Sequence, residues 1–195
     1  MVHVAIDARV PNGCAGGVQH VLTGLARGFA TSQIPDLTRT WIVYRSHTEW
    51  LTPNLPPEDN LLLFEPLVHR IGLAVYARAP RMISRLRPHV NRFISPYNFD
   101  QPGPLDTELH RRGVQIVHLP IQDGLPTQLP FIYHPHDLQH RYLPEFFTHA
   151  QIQHRETSWR QFATHATAVS VGTRSVATDL MSMWDVPSDL IEVIP

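Results

Sequence analysis

The stretch VHVAIDARVPNGCAGGVQHVLTGLARGFATS, residues 2–32, decides the fold. It opens with VHVAID, a short run of strand-forming residues, and continues through ARVPNGCAGG, whose proline and glycines are typical of a loop. The remainder carries apolar residues at helical spacing, namely Val18, Val21, Leu22, Leu25 and Phe29. A strand, a glycine-rich loop and a helix in this order form the first unit of an α/β domain.

The same strand signal returns six times along the chain. It falls in TWIVYR (40–45), NLLLFEP (60–66), VQIVHLP (114–120), LPFIYH (129–134), ATAVSVG (166–172) and LIEVIP (190–195). These runs are largely apolar, which favours strands buried on both faces of a parallel sheet. Helical patterns at 148–164 and 173–184 separate the last three, and the second is capped by Gly172 or Thr173. The sequence therefore predicts a doubly wound, mainly parallel, Rossmann-like α/β domain over residues 1–195.

Composition excludes several classes of protein. The 195 residues, 43% of them apolar, suit one compact domain, and a formal net charge of −1 gives no reason to expect a nucleic-acid partner. Cys14 is the only cysteine, which excludes an internal disulfide and a multi-cysteine zinc cluster. Without a signal-peptide pattern or a long apolar run, we expect a cytoplasmic location. All 16 basic residues are arginines, so a lysine-dependent phosphate loop is excluded.

The stretch PFIYHPHDLQHRYLPEFF, residues 130–147, concentrates four side chains that bear chemistry: His134, His136, Asp137 and His140. Three interpretations compete, namely a zinc or manganese site, a packed pair of histidines, and a ligand site at the carboxyl end of a strand. His140 lies beyond the turn and no second cluster of ligands follows, so we predict no metal. In the third interpretation His136 donates a hydrogen bond or charge to a substrate oxygen, with Asp137 beside it.

Two loop regions can bind anions. Gly13, Gly16 and Gly17 precede the first helix, where backbone N–H groups can meet a phosphate, although the spacing matches neither common nucleotide-binding fingerprint. A tight turn without a ligand is the alternative. Thr173 and Arg174 begin the last helix, where ordinary capping competes with anion binding.

Residues 66–99 contain six arginines and no acidic residue. Arg78, Arg81 and Arg85 share one helix face, and neighbouring apolar side chains make contact with an anionic membrane surface physically sensible. The alternative is a solvated face on which the arginine stems pack.

Several of these elements resemble, in their order, the N-terminal domain of family 4 glycosyltransferases, which are retaining enzymes of the GT-B fold. The motifs that carry the resemblance are IDAR, GGVQHVLTGLARGF, IVHLP, HPHDLQHRYLPEFF, AVSVGTRSVATDL and IEVIP. The resemblance spans the chain except for residues 46–112. It implies one half of a two-domain enzyme, whose second domain holds most of a nucleotide-diphosphate sugar and carries a pair of glutamates.

The resemblance also implies roles for individual residues. Gly16 and Gly17 match the glycine pair whose loop approaches the donor diphosphate, and His136 matches the histidine that faces the donor sugar, followed by Asp137. His134, Gln139, His140 and Arg174 would support the site or face the acceptor.

The partners implied are a nucleotide-sugar co-substrate, with no tightly bound cofactor, and a glycan or lipid-linked acceptor. Because the chain ends within a strand pattern, we expect the donor-binding domain to lie beyond Pro195 and this chain alone to be inactive. The alternatives are a non-catalytic nucleotide- or sugar-binding module and a metal-dependent hydrolase that uses His134, His136 and His140.

Overall fold

The computed structural model describes residues 1–11, 17–32, 34–65 and 97–195. Seven strands are β1 Val2–Asp7, β2 Leu37–Tyr44, β3 Asn60–Phe64, β4 Ile116–Leu119, β5 Phe131–Tyr133, β6 Ala168–Val171 and β7 Ile191–Val193. The α-helices are α1 Gly17–Thr31, α2 Asp106–Arg111, α3 Gln139–Tyr142, α4 His149–His154, α5 Arg160–His165 and α6 Arg174–Trp184. A π-helical turn, Arg155–Trp159, joins α4 to α5. Short 3-10 turns occupy Thr52–Asn54, Pro144–Phe146 and Ser188–Leu190.

The strands form one sheet in the order β3-β2-β1-β4-β5-β6-β7, and every neighbouring pair is parallel. This confirms the predicted doubly wound, Rossmann-like α/β fold. The chain first builds outward from β1 to β3 and then returns to β4 on the other side of β1. The strand order therefore reverses between β1 and β4.

Alternating side chains divide the core into two layers. On one face of the sheet, Val4 and Ile6 of β1 pack with Leu22 and Ala26 of α1. On the other face, Ala5 belongs to a larger cluster contributed by α2, the segment 149–165 and α6. The large buried side chains of that second layer are Leu109, Trp159, Phe162, Leu180 and Trp184. Helices therefore cover both faces, as the apolar runs predicted.

The helix predicted at 148–164 is interrupted. Thr148 begins it with a capping box, in which its side chain accepts from the Gln151 N–H and the Gln151 side chain accepts from the Thr148 N–H. The π-helical turn then widens the helix before α5 resumes the α-helical spacing. Apolar periodicity alone carries no signal for this extra residue in the turn.

The sequence interpretation also missed α2 and α3. Both are short. The sequence of α2 is mostly polar, and only Asp106 and Leu109 of its six residues are buried. The predicted helix at 173–184 is present as Arg174–Trp184, capped by the Thr173 hydroxyl, which accepts from the Val176 N–H at 3.3 Å. Among the described helices, none has the length and apolar character needed to cross a membrane.

Gly103 provides a test of the close packing between its backbone and that of Pro126. A Cβ added there would lie 1.8 Å from the carbonyl oxygen of Pro126, whereas a Cβ at Gly24, in the exposed face of α1, meets no atom within 4 Å. We expect Gly103→Ala to lower the free energy of unfolding by at least ~2 kcal/mol, because backbone must move, and Gly24→Ala to raise it by ~0.5–1 kcal/mol. Urea denaturation followed by circular dichroism measures both, and equal midpoints for the two variants would contradict this packing.

Candidate functional site

The candidate site lies where the strand order reverses. In open parallel sheets, ligands bind in the crevice beyond the carboxyl ends of the strands at this point. Here the segments that follow β1, β4 and β5 meet at that edge, and they contribute Arg9, Pro120 and His136. This is the edge at which the sequence placed its histidine and aspartate.

His136 is held by the segment that follows β4. Its Nε2 lies 3.0 Å from the carbonyl oxygen of Pro120, and a carbonyl can only accept, so Nε2 carries the proton. Burial lowers the pKa of His136, although Pro120 and Asp137 oppose the change. The ring is therefore neutral near pH 7 and offers Nδ1 as a hydrogen-bond acceptor. Because Nε2 already donates to Pro120, Nδ1 is the nitrogen left for a ligand, and the donor role expected from the sequence stays a prediction.

His134 lies beside His136, with ring centroids 4.6 Å apart and planes at 74°. Its Nδ1 is 3.1 Å from the hydroxyl oxygen of Ser170, on the neighbouring strand β6. Burial lowers the pKa of His134 to about 4, with help from His136 and His118. The two rings form a neutral, partly desolvated pair at the strand ends.

The sequence interpretation overlooked His118, which completes this group. It sits within β4, in register with Ile6 of β1 and Ile132 of β5. Burial lowers its pKa to about 4. His118 follows Ile116 by two residues in β4. Because side chains alternate along a strand, this spacing was the available signal that His118 and Ile116 lie on the same face of the sheet.

A buried ion pair closes the end of β1. The Arg9 guanidinium donates from Nε and Nη2 to the two carboxylate oxygens of Asp7, at 2.9 and 2.7 Å. Burial works against the Arg9 charge, but Asp7 outweighs it and raises the pKa of Arg9 above its ordinary value. The rings of Tyr44 and Phe64 lie 5.8 and 5.5 Å from the same guanidinium. This pair therefore ties Arg9, in the segment after β1, to the end of that strand.

The other predicted residues fall in different surroundings. Asp137 is exposed and accepts a hydrogen bond from the Gln139 N–H at 3.1 Å, while the Gln139 side chain is exposed. Arg174 is exposed at the start of α6, and Gly17 is the first residue of α1. Gly16, Arg78, Arg81 and Arg85 lie outside the described residues.

His140 points away from the crevice. It is 1% exposed, and its Nε2 is 2.8 Å from Oε1 of Glu156, in the π-helical turn. Glu156 also accepts from Nε and Nη2 of Arg141 and, at 3.2 Å, from Nε1 of Trp184. Burial opposes its ionisation, yet these donors outweigh burial and lower the pKa of Glu156 to about 2. Glu156 therefore anchors the segment that carries His136 to the helical layer.

Within the part of the chain that the structure describes, no group of three His, Cys, Asp or Glu side chains is arranged to hold a metal ion. A shallow hollow bordered by Phe99, Phe131 and His165 opens at the opposite, amino edge of the sheet. That hollow lies away from His134 and His136 and from the strand ends at which such sheets bind ligands.

No family model matches the sequence, and the search of curated proteins finds no match. Among solved structures, the chain is similar to a glycosyltransferase from Rickettsia africae, with 12% identity, a TM-score of 0.48 and 99% of this chain aligned. It is also similar to a sucrose-phosphate synthase from Thermosynechococcus elongatus, with 11% identity, a TM-score of 0.41 and 99% of this chain aligned to 88% of that one. This chain spans 42% of the Rickettsia protein. At these values the likeness carries no argument about function, which has to come from the site.

The partial burial of His118 predicts that the stability of the fold depends on pH. His118 has a folded pKa of about 4 and an ordinary value near 6.5, so the unfolded chain binds its proton first as the pH falls. The stabilisation is complete above about pH 6.5 and is lost toward about pH 4, at a total of up to ~3 kcal/mol. We expect His118→Gln to show a shallower loss of unfolding free energy across this window, measured by urea denaturation. An unchanged slope would contradict the neutral, partly buried state of His118.

The Glu156 anchor predicts a loss of stability on truncation. Glu156→Ala leaves the buried donors of His140 and Trp184 without an acceptor, and we expect the free energy of unfolding to fall by about 2–4 kcal/mol. Glu108 also accepts from two arginines, Arg111 and Arg112, but at the surface, so Glu108→Ala is the matched control and should cost much less. Similar losses for both variants, in chemical denaturation, would show that Glu156 is an ordinary surface carboxylate.

Proposed function

We propose that this chain is the acceptor-side domain of a retaining glycosyltransferase that uses a nucleotide-diphosphate sugar. The observation that carries the proposal is the neutral His136, held by Pro120 at the switch point of the sheet with Nδ1 available to accept. The ordered motifs that resemble family 4 glycosyltransferases support the reaction class.

In this proposal His136 recognises a sugar hydroxyl. A hydroxyl needs an acceptor for its proton, and a neutral imidazole in a partly desolvated position provides one with fixed direction. Burial lowers the pKa of both His134 and His136, and His136 lowers that of His134 further, so both rings are neutral. The site is therefore suited to an uncharged polyol, and the contact would orient the sugar without adding charge to it.

The diphosphate of the donor would lie toward the start of α1. This helix has 15 residues, so its first N–H groups and its dipole favour an anion. Gly17 stands at that end, and a side chain there would meet no atom within 4 Å, which leaves open space beside the backbone. The leaving diphosphate gains charge during transfer, and these N–H groups would stabilise it.

Catalysis would need a second domain. The residues described here supply a polyol contact and an anion-binding helix end, but the resemblance assigns the paired glutamates to a domain beyond Pro195. We therefore propose that the 195-residue chain binds ligand weakly and that transfer requires the longer polypeptide. Acceptors are a glycan or a lipid-linked sugar.

One substitution at His136, with a control elsewhere, tests the role of its acceptor nitrogen. His136→Gln can keep a donor toward Pro120 while it removes the acceptor Nδ1, so we expect normal folding and a fall in kcat/KM of about 10- to 100-fold. His110→Gln, at an exposed position of α2, is the control. The assay is release of nucleoside diphosphate from a panel of nucleotide sugars by the polypeptide extended past Pro195.

The possible outcomes distinguish a failure of the proposed glycosyl transfer from a failure of the role proposed for His136. Absence of transfer from every donor, in an extended and folded polypeptide that still binds nucleotide sugars, would leave a non-catalytic binding module. Transfer at the normal rate by His136→Gln would retain the glycosyltransferase and remove His136 from its site.

A further inference from the structure

Arg155 occupies an unusual position at the carboxyl edge of the sheet. Its guanidinium carbon lies 4.2 Å from the ring centre of Phe147 and 4.3 Å from that of Trp159. The two aromatic rings therefore stack on the guanidinium, and its N–H groups point outward from the edge of the plane.

The aromatic frame around Arg155 is itself fixed. The buried ring of His140 meets Trp159 edge-on at 5.6 Å and Phe147 at 6.5 Å. Nε1 of Trp159 donates to Oδ1 of Asp123 at 2.8 Å. Because each ring has its own contacts, the guanidinium is held in one orientation before any ligand arrives.

The donors of Arg155 have no acceptor. Within residues 1–11, 17–32, 34–65 and 97–195, no hydrogen bond or ion pair reaches its guanidinium, whereas the other arginines in that part that are at least half-buried pair with carboxylates, as Arg9 does with Asp7 and Arg39 with Asp59. Burial lowers the pKa of Arg155, and Asp137 and Asp123 oppose the change. None of the guanidinium nitrogens of Arg155 is among the fully buried polar atoms without a partner in the described residues, so its unused donors are open to an acceptor from solvent.

The nearby carboxylates are engaged elsewhere. Oδ1 of Asp137 accepts from the Gln139 N–H at 3.1 Å, and Oδ1 of Asp123 accepts from His154 and Trp159, both at 2.8 Å. They help to keep Arg155 charged without using its donors.

Arg155 also lies on the functional edge of the sheet. The helix that contains it runs from α4 to α5 and returns to the amino end of β6, so its first half stands beyond the carboxyl ends of the strands. Asp137, which acts on Arg155 electrostatically, directly follows His136. The free N–H edge thus stands next to the segment that carries His136.

We propose that Arg155 binds an oxyanion of a small molecule, a phosphate or carboxylate group, through the free edge of its stacked guanidinium. A planar fork of N–H donors matches two oxygens of such a group, which gives both affinity and direction. The inference stands without any glycosyl transfer, because it concerns binding alone.

The test is NMR titration of the 195-residue chain with inorganic phosphate and, separately, with acetate, at ionic strength matched by sodium chloride. The Nε–Hε signal of Arg155 is read directly, and it is assigned by its loss in Arg155→Gln. We expect a saturable shift of this signal with phosphate, with acetate or with both, and the effective anion identifies the group that the site recognises.

Variants give the matched comparison. In the variants the apparent Kd is read from the indole Nε1–H signal of Trp159, whose ring stacks on Arg155. Arg160 lies in the same helical segment but already pairs with Asp185 at 2.9 Å, so Arg160→Gln should change this Kd less than about twofold, whereas Arg155→Gln should raise it about tenfold or more. Arg155→Lys keeps the charge but loses the fork, and it should also weaken binding.

Two results would overturn the proposal. One is a shift at Arg155 that rises linearly with both anions and equals that of Arg160, which would leave Arg155 as a packing element between two rings. The other is binding of phosphate by Arg155→Gln with the affinity of the original chain. The shift of the Arg155 Nε–Hε signal in the unaltered chain decides the question even if a variant fails to fold.

Discussion

The reversal of strand order between β1 and β4 is the constraint on which the rest of the structure depends. The connections between parallel strands are right-handed. A chain that builds first to one side of β1 and then to the other must therefore place its helices on opposite faces of the sheet. Here α1 covers one face, while α2, the segment 149–165 and α6 cover the other. Among the described residues, the segments after β1, β4 and β5 lie at the point of reversal. The position of the candidate site follows from topology before any side chain is considered.

The chemistry of that edge follows from burial. Burial disfavours the charged imidazoles of His118, His134 and His136, and the two other rings lower the pKa of His134 further, so the neutral forms prevail. Neutral rings act as hydrogen-bond partners for uncharged groups, and positive charge at this edge must come from elsewhere. The structure places it in Arg155, across the segment that contains Asp137. The neutral rings and the charged guanidinium thus belong to separate elements of the fold.

The fold was predictable because strand runs such as NLLLFEP and VQIVHLP are apolar and α1 has a clear helical period. The site was predictable only in part. His134 and His136 follow a strand in the sequence, which is a local signal, but the pairing of His134 with Ser170 depends on strands that are 36 residues apart. Glu156 and His140 are likewise brought together by tertiary packing, and no period in the sequence marks the π-helical turn that holds Glu156. Long-range contacts of this kind need the folded chain.

The π-helical turn joins the two halves of the site. Glu156 holds His140 and Arg141 of the segment after β5, while Trp159, one turn further, holds Asp123 of the segment after β4. One rigid turn therefore sets the positions of both segments, and Arg155 stands in the same turn between Phe147 and Trp159. Sites that rest on regular structure keep their geometry better than sites built on loops alone. The wide turn is thus a structural reason why the histidines and the stacked arginine can keep a fixed separation.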